Sequence, residues 1–416
     1  MHHNYYQSSK KLLQRAEGVI PLGCQTFSKS KISYPEDAPL YLDSGSGPYV
    51  YDIDGNEYID CVAGLLPVIL GYCDDDVDSA IKDQLNKGIS FSLGTKLEIE
   101  VAERLVQFIP CAEMVRFGKN GSDVTNAAIR LARLHTGRDY IISSGYHGWA
   151  DSFVAGDGLR GGGVPTGVAK YTYHLTHGDI KNAVEWIESK QFACIIVEPE
   201  GDIEFLARIR SACDKTGTIL IFDEVITGFR WALGGAQQFY GITPDLACFG
   251  KAMGNGMPIN AVVGKREIMQ RMVPPGNIFY SGTFQGETLS LAAAQATMAK
   301  IERLGVIPLW VLGDKIYMAL KDQSFLKPKN GPIVRVSFND LETRTLYQQA
   351  MIDRGILFNG TSFNIMFTHS KVIDRIVDII NYVNKYVQDA IDSDTVKNKI
   401  RGRVIESASK IREEYW

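Results

Sequence analysis

Short apolar runs alternate with longer amphipathic stretches of helical length between about residue 95 and residue 265. Such alternation is typical of strands and helices that follow one another in a mostly parallel sheet. The apolar runs predict strands at residues 114–117, 140–143, 193–198, 219–222, 246–249 and 261–264. We therefore expect an α/β fold in which helices flank a mostly parallel sheet.

The two ends of the chain show a different pattern. Side chains alternate in character over residues 49–60 around Asp54-Gly55, which predicts a hairpin with a two-residue turn. Beyond about residue 310, mixed segments such as 333–338 predict a second α+β unit that packs beside this hairpin. The predicted organisation is an N-terminal segment (residues 1–60) that joins a smaller domain, a large domain (61–310) and the C-terminal part of the smaller domain (311–416).

Composition and charge narrow the class of protein. The chain has 44 Lys and Arg residues against 48 Asp and Glu residues, and the net charge of −4 gives no broad attraction for nucleic acids or anionic membranes. Apolar runs stay shorter than the roughly 18 residues of a membrane span, and residues 1–6 lack the features of a secretory signal. Seven cysteines without a CxxC pair argue against a disulfide framework and against a zinc site. We therefore expect a soluble, cytoplasmic protein without a metal, a nucleic-acid partner or a membrane partner.

Two of the predicted strands are followed by residues of opposite charge. Asp223 comes directly after strand 219–222, and Lys251 follows strand 246–249 and precedes a glycine-rich run. Ligands of α/β sheets bind at the carboxyl ends of the strands. Pyridoxal phosphate (PLP) needs a desolvated amine that forms a Schiff base with its aldehyde and an anionic partner for its ring nitrogen, so this pair favours PLP. Taken alone, each residue has an alternative: Asp223 as a helix cap and Lys251 as a lysine that extends into solvent.

Two more strand ends carry residues that suit the rest of such a cofactor. Gly121 and Ser122 stand between strand 114–117 and a predicted helix, and N–H groups at the start of a helix attract anions such as phosphate. Tyr146 and His147 follow strand 140–143, and an aromatic ring at this place can stack on a planar cofactor. A plain capped helix and a role in core packing are the respective alternatives.

A glycine-rich segment matches the dinucleotide-binding motif but lacks the helix that normally follows it. Residues 156–161 fit the dinucleotide-binding pattern GxGxxG, but Gly162-Gly163-Val164-Pro165 follows, and this run does not open a helix well. We therefore expect a mobile active-site loop at this segment instead of a nucleotide site.

Taken in order, these motifs resemble the class III aminotransferases, which are fold-type-I PLP enzymes, over nearly the whole chain. The residues that carry the resemblance are Tyr146-His147-Gly148, the run DEVITGFR from Asp223 to Arg230, Pro244-Asp245, Gly250-Lys251 and Gly282-Thr283. Within the family the chain is most similar to the glutamate-1-semialdehyde aminomutase branch and to related enzymes of surface-sugar pathways. The resemblance implies a large domain with a mostly parallel sheet and a smaller α+β domain built from both termini.

The resemblance also implies a role for each matching residue. Lys251 would form the Schiff base with PLP and move the proton between the substrate Cα and the cofactor C4′, and Asp223 would pair with the pyridinium nitrogen. The other implied cofactor-binding residues are Tyr146 and Val225 on the two faces of the ring, Gly121 and Ser122 at the phosphate, and Thr283. Because members of the family receive the Thr283 contact from the neighbouring subunit, a homodimer with shared active sites is implied.

Two positions depart from the aminomutase branch and are our candidates for substrate binding. Lys29 lies in the stretch where that branch has an arginine for the substrate carboxylate, and a lysine lacks the bidentate fork of arginine. Asn364 aligns with the gating glutamate of that branch. For the partner of the cofactor's phenolic oxygen, Glu200 and Asp202 are alternatives.

These residues lead to one expected function and two alternatives. We expect an aminotransferase that moves an amino group from an amino acid, with glutamate as the first guess, to an aldehyde or ketone. The acceptor would be a small molecule such as a sugar or sugar-acid derivative of carbohydrate biosynthesis. The alternatives are a glutamate-1-semialdehyde 2,1-aminomutase of tetrapyrrole synthesis and a PLP-binding protein without turnover.

Overall fold

The computed structural model describes residues 6–155 and 161–406 of the chain. Numbered in chain order, the strands are β1 Leu42–Ser46, β2 Tyr49–Asp52, β3 Glu57–Asp60, β4 Met114–Gly118, β5 Tyr140–Ser144, β6 Thr172–His174, β7 Phe192–Val197, β8 Ile219–Asp223, β9 Leu246–Phe249, β10 Asn260–Gly264, β11 Leu326–Lys329, β12 Ile333–Phe338, β13 Ile356–Leu357 and β14 Ser362–Asn364. The helices are α1 Gln7–Glu17, α2 Asp75–Leu85, α3 Lys96–Phe108, α4 Gly121–Thr136, α5 Asp151–Val154, α6 Thr166–Ala169, α7 Ile180–Glu188, α8 Ile203–Thr216, α9 Ala236–Tyr240, α10 Arg266–Met269, α11 Thr288–Leu304, α12 Ile307–Leu320, α13 Leu341–Asp353, α14 Ile373–Asp392 and α15 Val396–Lys399. The prediction of a mobile loop falls mainly on residues 156–160, which lie outside the described ranges.

The described residues divide into two compact units. The terminal unit contains the residues up to Asp74 and those from Ile307 onward, and the central unit is Asp75–Val306. The sequence predicted that the large domain begins at residue 61, but residues 61–74 belong to the terminal unit. Their backbone carbonyls explain this, because Cys61 accepts the N–H of Asn364 at 2.9 Å and Ile69 accepts the N–H of Phe367 at 2.8 Å.

The central unit contains one seven-stranded sheet in the order β4-β10-β9-β8-β7-β5-β6. Strand β10 runs antiparallel to β4 and β9, and the strands from β9 to β6 in this order are parallel to one another. The six strands predicted from the sequence are present, with ends within one residue of the expected positions. The sequence missed β6, because three residues with one buried side chain form no recognisable apolar run. The expected α/β fold with a mostly parallel sheet is confirmed.

Helix α4 packs on this sheet through an apolar face. Leu131 lies four positions after Ala127 and three after Ala128, so the three share one face of the helix. They belong to one buried cluster with Ile196 of β7 and Ile221 of β8. This packing fixes the start of α4 next to the end of β4.

The terminal unit contains the sheets β1-β2-β3-β13 and β11-β12-β14. The predicted hairpin is present, because β2 and β3 pair antiparallel with Tyr51 opposite Glu57. Its turn is longer than the two residues predicted, since the Asp52 N–H donates to the Asn56 carbonyl at 3.0 Å and leaves three residues between them. The Asp52 carboxylate holds this turn by accepting the N–H groups of Asp54 at 3.0 Å and Asn56 at 2.8 Å. Strand β13 pairs with β3 in parallel, so the hairpin and the C-terminal part share a sheet, as expected.

Helix α14 of the terminal unit is amphipathic. Its buried residues include Ile376, Ile380, Val383 and Val387, which repeat at helical spacing on one face. Within the described ranges, every helix is too short or too polar to cross a lipid bilayer.

Candidate active site

One edge of the central sheet collects most of the residues that the sequence singles out. Strands β4, β5, β7, β8 and β9 end there because they run in the same direction. The predicted residues that follow these strand ends are Gly121 and Ser122, Tyr146, Asp223 and Val225, and Lys251. We call this edge the carboxyl edge and define it by residues 118–122, 145–148, 198–200, 223–225 and 250–251.

Asp223, at the end of β8, is buried and held by two hydrogen bonds. Its Oδ2 lies 2.8 Å from Nδ1 of His147, and its Oδ1 accepts the N–H of Val225 at 3.2 Å. His147 is buried as well, and its Nε2 has no hydrogen-bond partner among the described residues. A buried N–H without an acceptor costs more than an unused lone pair, so we assign the imidazole proton to Nδ1, which donates to Asp223. The carboxylate is thereby oriented, and it retains acceptor positions for a cationic ring nitrogen.

His147 is a site residue whose role the sequence did not show. The motif Tyr146-His147-Gly148 placed it after a strand, but its bond to Asp223 joins residues 76 positions apart. Strand β7 lies between β5 and β8, and this strand order decides which loops meet.

Glu224 follows Asp223 directly and has a different environment. Its carboxylate accepts hydrogen bonds from Thr227 Oγ1, from the N–H of Ala236 at 2.7 Å and from the N–H of Gln237 at 2.9 Å. Burial raises the pKa of this carboxyl above its usual value. Glu224 therefore supports the start of α9 and does not face a ligand.

The turn between β4 and α4 presents backbone donors. Asp123 Oδ2 accepts the N–H groups of Lys119 and Asn120, each at 2.9 Å, and so fixes the turn. The N–H groups of Gly121 and Ser122 come next, at the first two positions of α4, where a helix offers no internal acceptor. The 16 residues of α4 add the positive end of the helix dipole. An anionic group such as phosphate fits at this point.

The Ser122 side chain is positioned by the loop after β5. Its Oγ accepts the N–H of Trp149 at 3.2 Å, so its own proton points away from that bond and can be donated to a ligand. Gly148 passes so close that a Cβ there would lie 2.2 Å from Ser122 Oγ, and its φ of +111° also favours glycine. The loop after β5 and the start of α4 are therefore built against each other.

Lys251 follows β9 and Gly250. Its φ of +42° lies in the left-handed region, which is unfavourable for a residue with a side chain and is typical of functional positions. Asn260, at the start of β10, lies against this backbone: a Cβ at position 250 would be 1.9 Å from Asn260 Oδ1, so only glycine fits there. The Asn260 amide also donates to the Lys119 carbonyl at 2.9 Å. Asn260 thus links the two turns, and no sequence motif marks it.

Tyr146 and Val225, the two residues predicted to sandwich the ring, are half-buried at the carboxyl edge. The N–H of Tyr146 donates to Glu198 Oε2 at 3.0 Å. The methyl groups of Val225 would lie 3.7 and 3.8 Å from a Cβ at Gly121, so Val225 lies beside the start of α4. Burial and the nearby Glu200 carboxylate raise the pKa of Glu198, so this carboxyl keeps its proton to higher pH than an exposed one.

The two alternatives for the phenolic oxygen lie in different environments. Asp202 is the exposed N-cap of α8, and its carboxylate accepts the N–H groups of Glu204 at 2.9 Å and Phe205 at 3.2 Å. Glu200 is buried beside Glu198 at the end of β7. Of the two, Glu200 belongs to the carboxyl edge, and its contact with the cofactor remains a prediction.

Three predicted residues lie in other elements. Thr283 is exposed in the turn before α11. Lys29 is exposed at the end of the 3-10 turn Phe27–Lys29, and Asn364 is buried in β14; both belong to the terminal unit. The Asn364 amide donates to the Val62 carbonyl at 2.8 Å and accepts from Ser362 Oγ at 2.9 Å, so it supports the local fold. Substrate binding by Lys29 and Asn364 remains a prediction.

The residues of the carboxyl edge fit the groups of PLP. Backbone donors at Gly121 and Ser122 suit a phosphate, and the oriented Asp223 carboxylate suits a basic ring nitrogen. Lys251 supplies an amine for an aldehyde, on a backbone that Asn260 holds in place.

Comparison with known proteins agrees with this fit. The sequence model of the family described as aminotransferase class-III matches residues 33–324. The glutamate-1-semialdehyde 2,1-aminomutase of Francisella philomiragia subsp. philomiragia is 41% identical over 316 residues, which cover 71% of this chain and 73% of that protein.

Solved structures of PLP enzymes share the fold. The FumI protein of Sphingopyxis sp. MTA144, solved in a PLP-containing form, has a TM-score of 0.85 at 25% identity and covers 92% of this chain and 97% of its own. An omega-transaminase from Sphaerobacter thermophilus has a TM-score of 0.83 at 26% identity and covers 92% of this chain and 100% of its own. With this fold and these matches, the chain belongs to the class III aminotransferases and is a PLP-dependent enzyme of fold type I.

Proposed function

We propose that this enzyme moves an amino group from an amino-acid donor, with glutamate as the first candidate, to an aldehyde or ketone of the sugar or sugar-acid class. The observation that carries the proposal is the pair formed by Lys251 and the oriented Asp223 at the ends of neighbouring strands β9 and β8. Amino transfer needs both an amine that can attack an aldehyde and an anion for the ring nitrogen.

The residues of the carboxyl edge have different roles in this reaction. PLP, when bound, supplies an electron sink for the negative charge that develops at the substrate Cα. Asp223 keeps the proton on the ring nitrogen, because His147 and Val225 hold its carboxylate in place. With PLP bound, Lys251 Nζ would take the proton from the substrate Cα and deliver it to the cofactor C4′, as a general base and acid.

The other cofactor contacts are those that the resemblance to the family implies, and the positions of these residues at the carboxyl edge support them. The N–H groups of Gly121 and Ser122 bind the phosphate, and the Ser122 hydroxyl adds one donor. Tyr146 and Val225 cover the two faces of the ring and thereby set its orientation to Lys251. These four residues bind and orient, and they exchange no proton with the substrate.

A homodimer is part of the proposal. The resemblance to the family implies that Thr283 reaches the phosphate of the neighbouring subunit. Its exposed position in the turn before α11 supports this role, since the side chain is accessible to a second copy of the chain.

A second candidate function is the intramolecular transfer carried out by glutamate-1-semialdehyde 2,1-aminomutases. The relative with 41% identity favours it. Two residues argue against it. Lys29 cannot bind a carboxylate with two parallel hydrogen bonds as an arginine does. Asn364 is neutral, and its amide is hydrogen-bonded to Val62 and Ser362.

The experiment that tests the main proposal follows the amino nitrogen. Protein loaded with PLP receives glutamate labelled with a heavy nitrogen isotope and a panel of carbonyl sugars and sugar acids, and mass spectrometry locates the label. We expect the label in an aminated product, and we expect Lys251→Ala to lower the transfer rate by about 10³-fold. Lys300→Ala is the matched control and should transfer at the normal rate, because Lys300 pairs with Asp76.

The same assay separates the alternatives. Conversion of glutamate-1-semialdehyde without any amino donor, with the amino group moved from carbon 2 to carbon 1, would establish the aminomutase instead. PLP binding without label transfer to any acceptor and without this conversion would identify a binding protein without turnover. Transfer by Lys251→Ala at the wild-type rate would contradict the assignment of Lys251.

A further inference from the structure

The Lys119 side chain makes three hydrogen bonds at the carboxyl edge. Its Nζ lies 2.6 Å from Glu287 Oε1, 3.0 Å from the Pro258 carbonyl and 3.2 Å from Ser290 Oγ. An ammonium group has three protons, so all three are used within the protein. Lys119 therefore has no donor left for a cofactor phosphate, although it stands two residues before Gly121.

Lys119 is also held through its backbone. Its N–H donates to Asp123 Oδ2 at 2.9 Å, and its carbonyl accepts from Asn260 Nδ2 at 2.9 Å. The residue thus joins three elements: the start of α4, the start of β10 and, through Nζ, the start of α11.

Glu287 is the N-cap of α11. Its carboxylate caps this helix by accepting the N–H groups of Leu289 at 2.8 Å and Ser290 at 3.1 Å. Two successive turns precede α11. In the first, the Gln285 N–H donates to the Gly282 carbonyl, and in the second the Glu287 N–H donates to the Phe284 carbonyl. Those turns contain Thr283, so the pair of Lys119 and Glu287 connects the two segments that are proposed to meet a phosphate.

The pair is charged and largely shielded from water. The exposed fractions of the two side chains are 18% for Lys119 and 11% for Glu287. Burial alone would raise the pKa of Glu287, but the hydrogen bonds from Lys119 and Ser290 outweigh it and hold the pKa below its usual value. Removing one member of such a pair leaves a charge without its partner in a poorly solvated place, which is costly and displaces the surrounding backbone.

We propose that Lys119 is a positioning residue for cofactor binding, which acts through its bond to Glu287 to hold the Gly121 and Ser122 N–H groups in the geometry that binds the PLP phosphate. The inference rests on the phosphate role of Gly121 and Ser122 in the proposed function. It adds that the phosphate is bound by a turn whose shape depends on an ion pair that does not touch the ligand.

The test compares PLP with pyridoxal, which has the same ring and aldehyde but no phosphate. Apoprotein is titrated with each compound, and the ratio of the two dissociation constants measures the contribution of the phosphate. For Lys119→Met and, independently, Glu287→Gln, we expect PLP to bind about tenfold more weakly while pyridoxal binding changes by less than about twofold. Lys300→Met is the matched control, since Lys300 lies at the other end of α11, about 18 Å from its start.

The outcomes distinguish this inference from the function on which it rests. Ser122→Ala is titrated in parallel. If Ser122→Ala reduces the ratio while Lys119→Met and Glu287→Gln leave it at the wild-type value, the positioning role is wrong and the phosphate site stands. If Ser122→Ala also leaves the ratio unchanged, the positioning role is again wrong and the Ser122 hydroxyl does not contact the phosphate. If the wild-type protein itself binds PLP no more tightly than pyridoxal, the phosphate site is misplaced. An equal loss of PLP and pyridoxal affinity in Lys119→Met and Glu287→Gln would show general damage to the site and would overturn the inference.

Discussion

At the scale of single residues, two acidic neighbours in the chain have different roles. Asp223 is placed to bind the cofactor, and Glu224 stabilises the protein. Asp223 is oriented by His147 and Val225 and keeps acceptor positions for a ligand. The Glu224 carboxylate accepts hydrogen bonds from N–H groups at the start of α9. Because β8 ends at Asp223, its carboxylate lies at the carboxyl edge while the next residue turns back into the protein.

A pair of isosteric substitutions tests this division. Asp223→Asn should lower kcat by at least about 10²-fold, because an amide cannot stabilise a protonated ring nitrogen. Glu224→Gln should retain turnover but lower the free energy of unfolding by about 1–3 kcal/mol, because Ala236 and Gln237 donate to different oxygens of Glu224 and the amide NH₂ can replace neither acceptor. Steady-state kinetics and thermal unfolding of both variants provide the measurement. The reverse pattern, in which Glu224→Gln is inactive but stable, would contradict the assignment.

At the scale of elements, the start of α8 shows why a candidate from sequence can be a structural residue. Asp202 and Glu200 both follow β7, and the sequence offers each as a partner for the phenolic oxygen. Only Asp202 has the geometry of an N-cap, with bonds to the N–H groups of Glu204 and Phe205. The need of α8 for a cap accounts for this acidic residue without any ligand.

Removing the cap gives an element-scale prediction. Asp202→Ala should lower the free energy of unfolding by about 1 kcal/mol, because two N–H groups at the start of α8 lose their acceptor. PLP affinity and kcat should stay at the wild-type values, measured by cofactor titration and by the isotope assay. Glu200→Gln is the matched comparison, and it should alter the absorption spectrum of the bound cofactor. A spectral change in Asp202→Ala with none in Glu200→Gln would reverse the choice between the two.

At the scale of the whole molecule, the proposed homodimer makes each active site depend on two chains. If Thr283 serves the neighbouring site, a dimer of one Lys251→Ala chain and one Thr283→Ala chain contains one fully intact site and one doubly altered site. The two variants are unfolded, mixed in equal amounts and refolded, and they are assayed at a PLP concentration at which the Thr283→Ala protein is mostly unloaded. We expect activity of about a quarter of the wild-type value, since half of the dimers are mixed and each has one working site.

A control mixture tests whether the recovered activity depends on Lys251. Lys251→Ala mixed with a chain that carries both Lys251→Ala and Thr283→Ala contains no intact Lys251 and should stay inactive. If the mixture of single variants shows no more activity than the average of its two components, Thr283 acts within its own chain or plays no part in the site.

The positions of six strands of the central sheet, and the residues at their ends, were predictable from the sequence because local patterns encode them. Six apolar runs marked six strands to within one residue, and the charges at the ends of two of them marked Asp223 and Lys251. The position of Gly121 and Ser122 between a predicted strand and a predicted helix marked the start of α4. Each of these signals lies within about ten consecutive residues, so no knowledge of strand order was needed. The two-residue turn at Asp54 and the boundary at residue 61 were wrong, because both depend on bonds that local patterns do not include.

By itself, then, the sequence determined six of the seven strands of the central sheet and which residue types stand at their ends. Only the tertiary structure decided which of those ends meet. His147 reaches Asp223 across 76 positions, Asn260 reaches Lys119 across 141, and Glu287 reaches Lys119 across 168. The physical reason is the order of the sheet: β10 inserts between β4 and β9, and β7 between β8 and β5, so residues distant in sequence become neighbours through pairing that no single segment specifies.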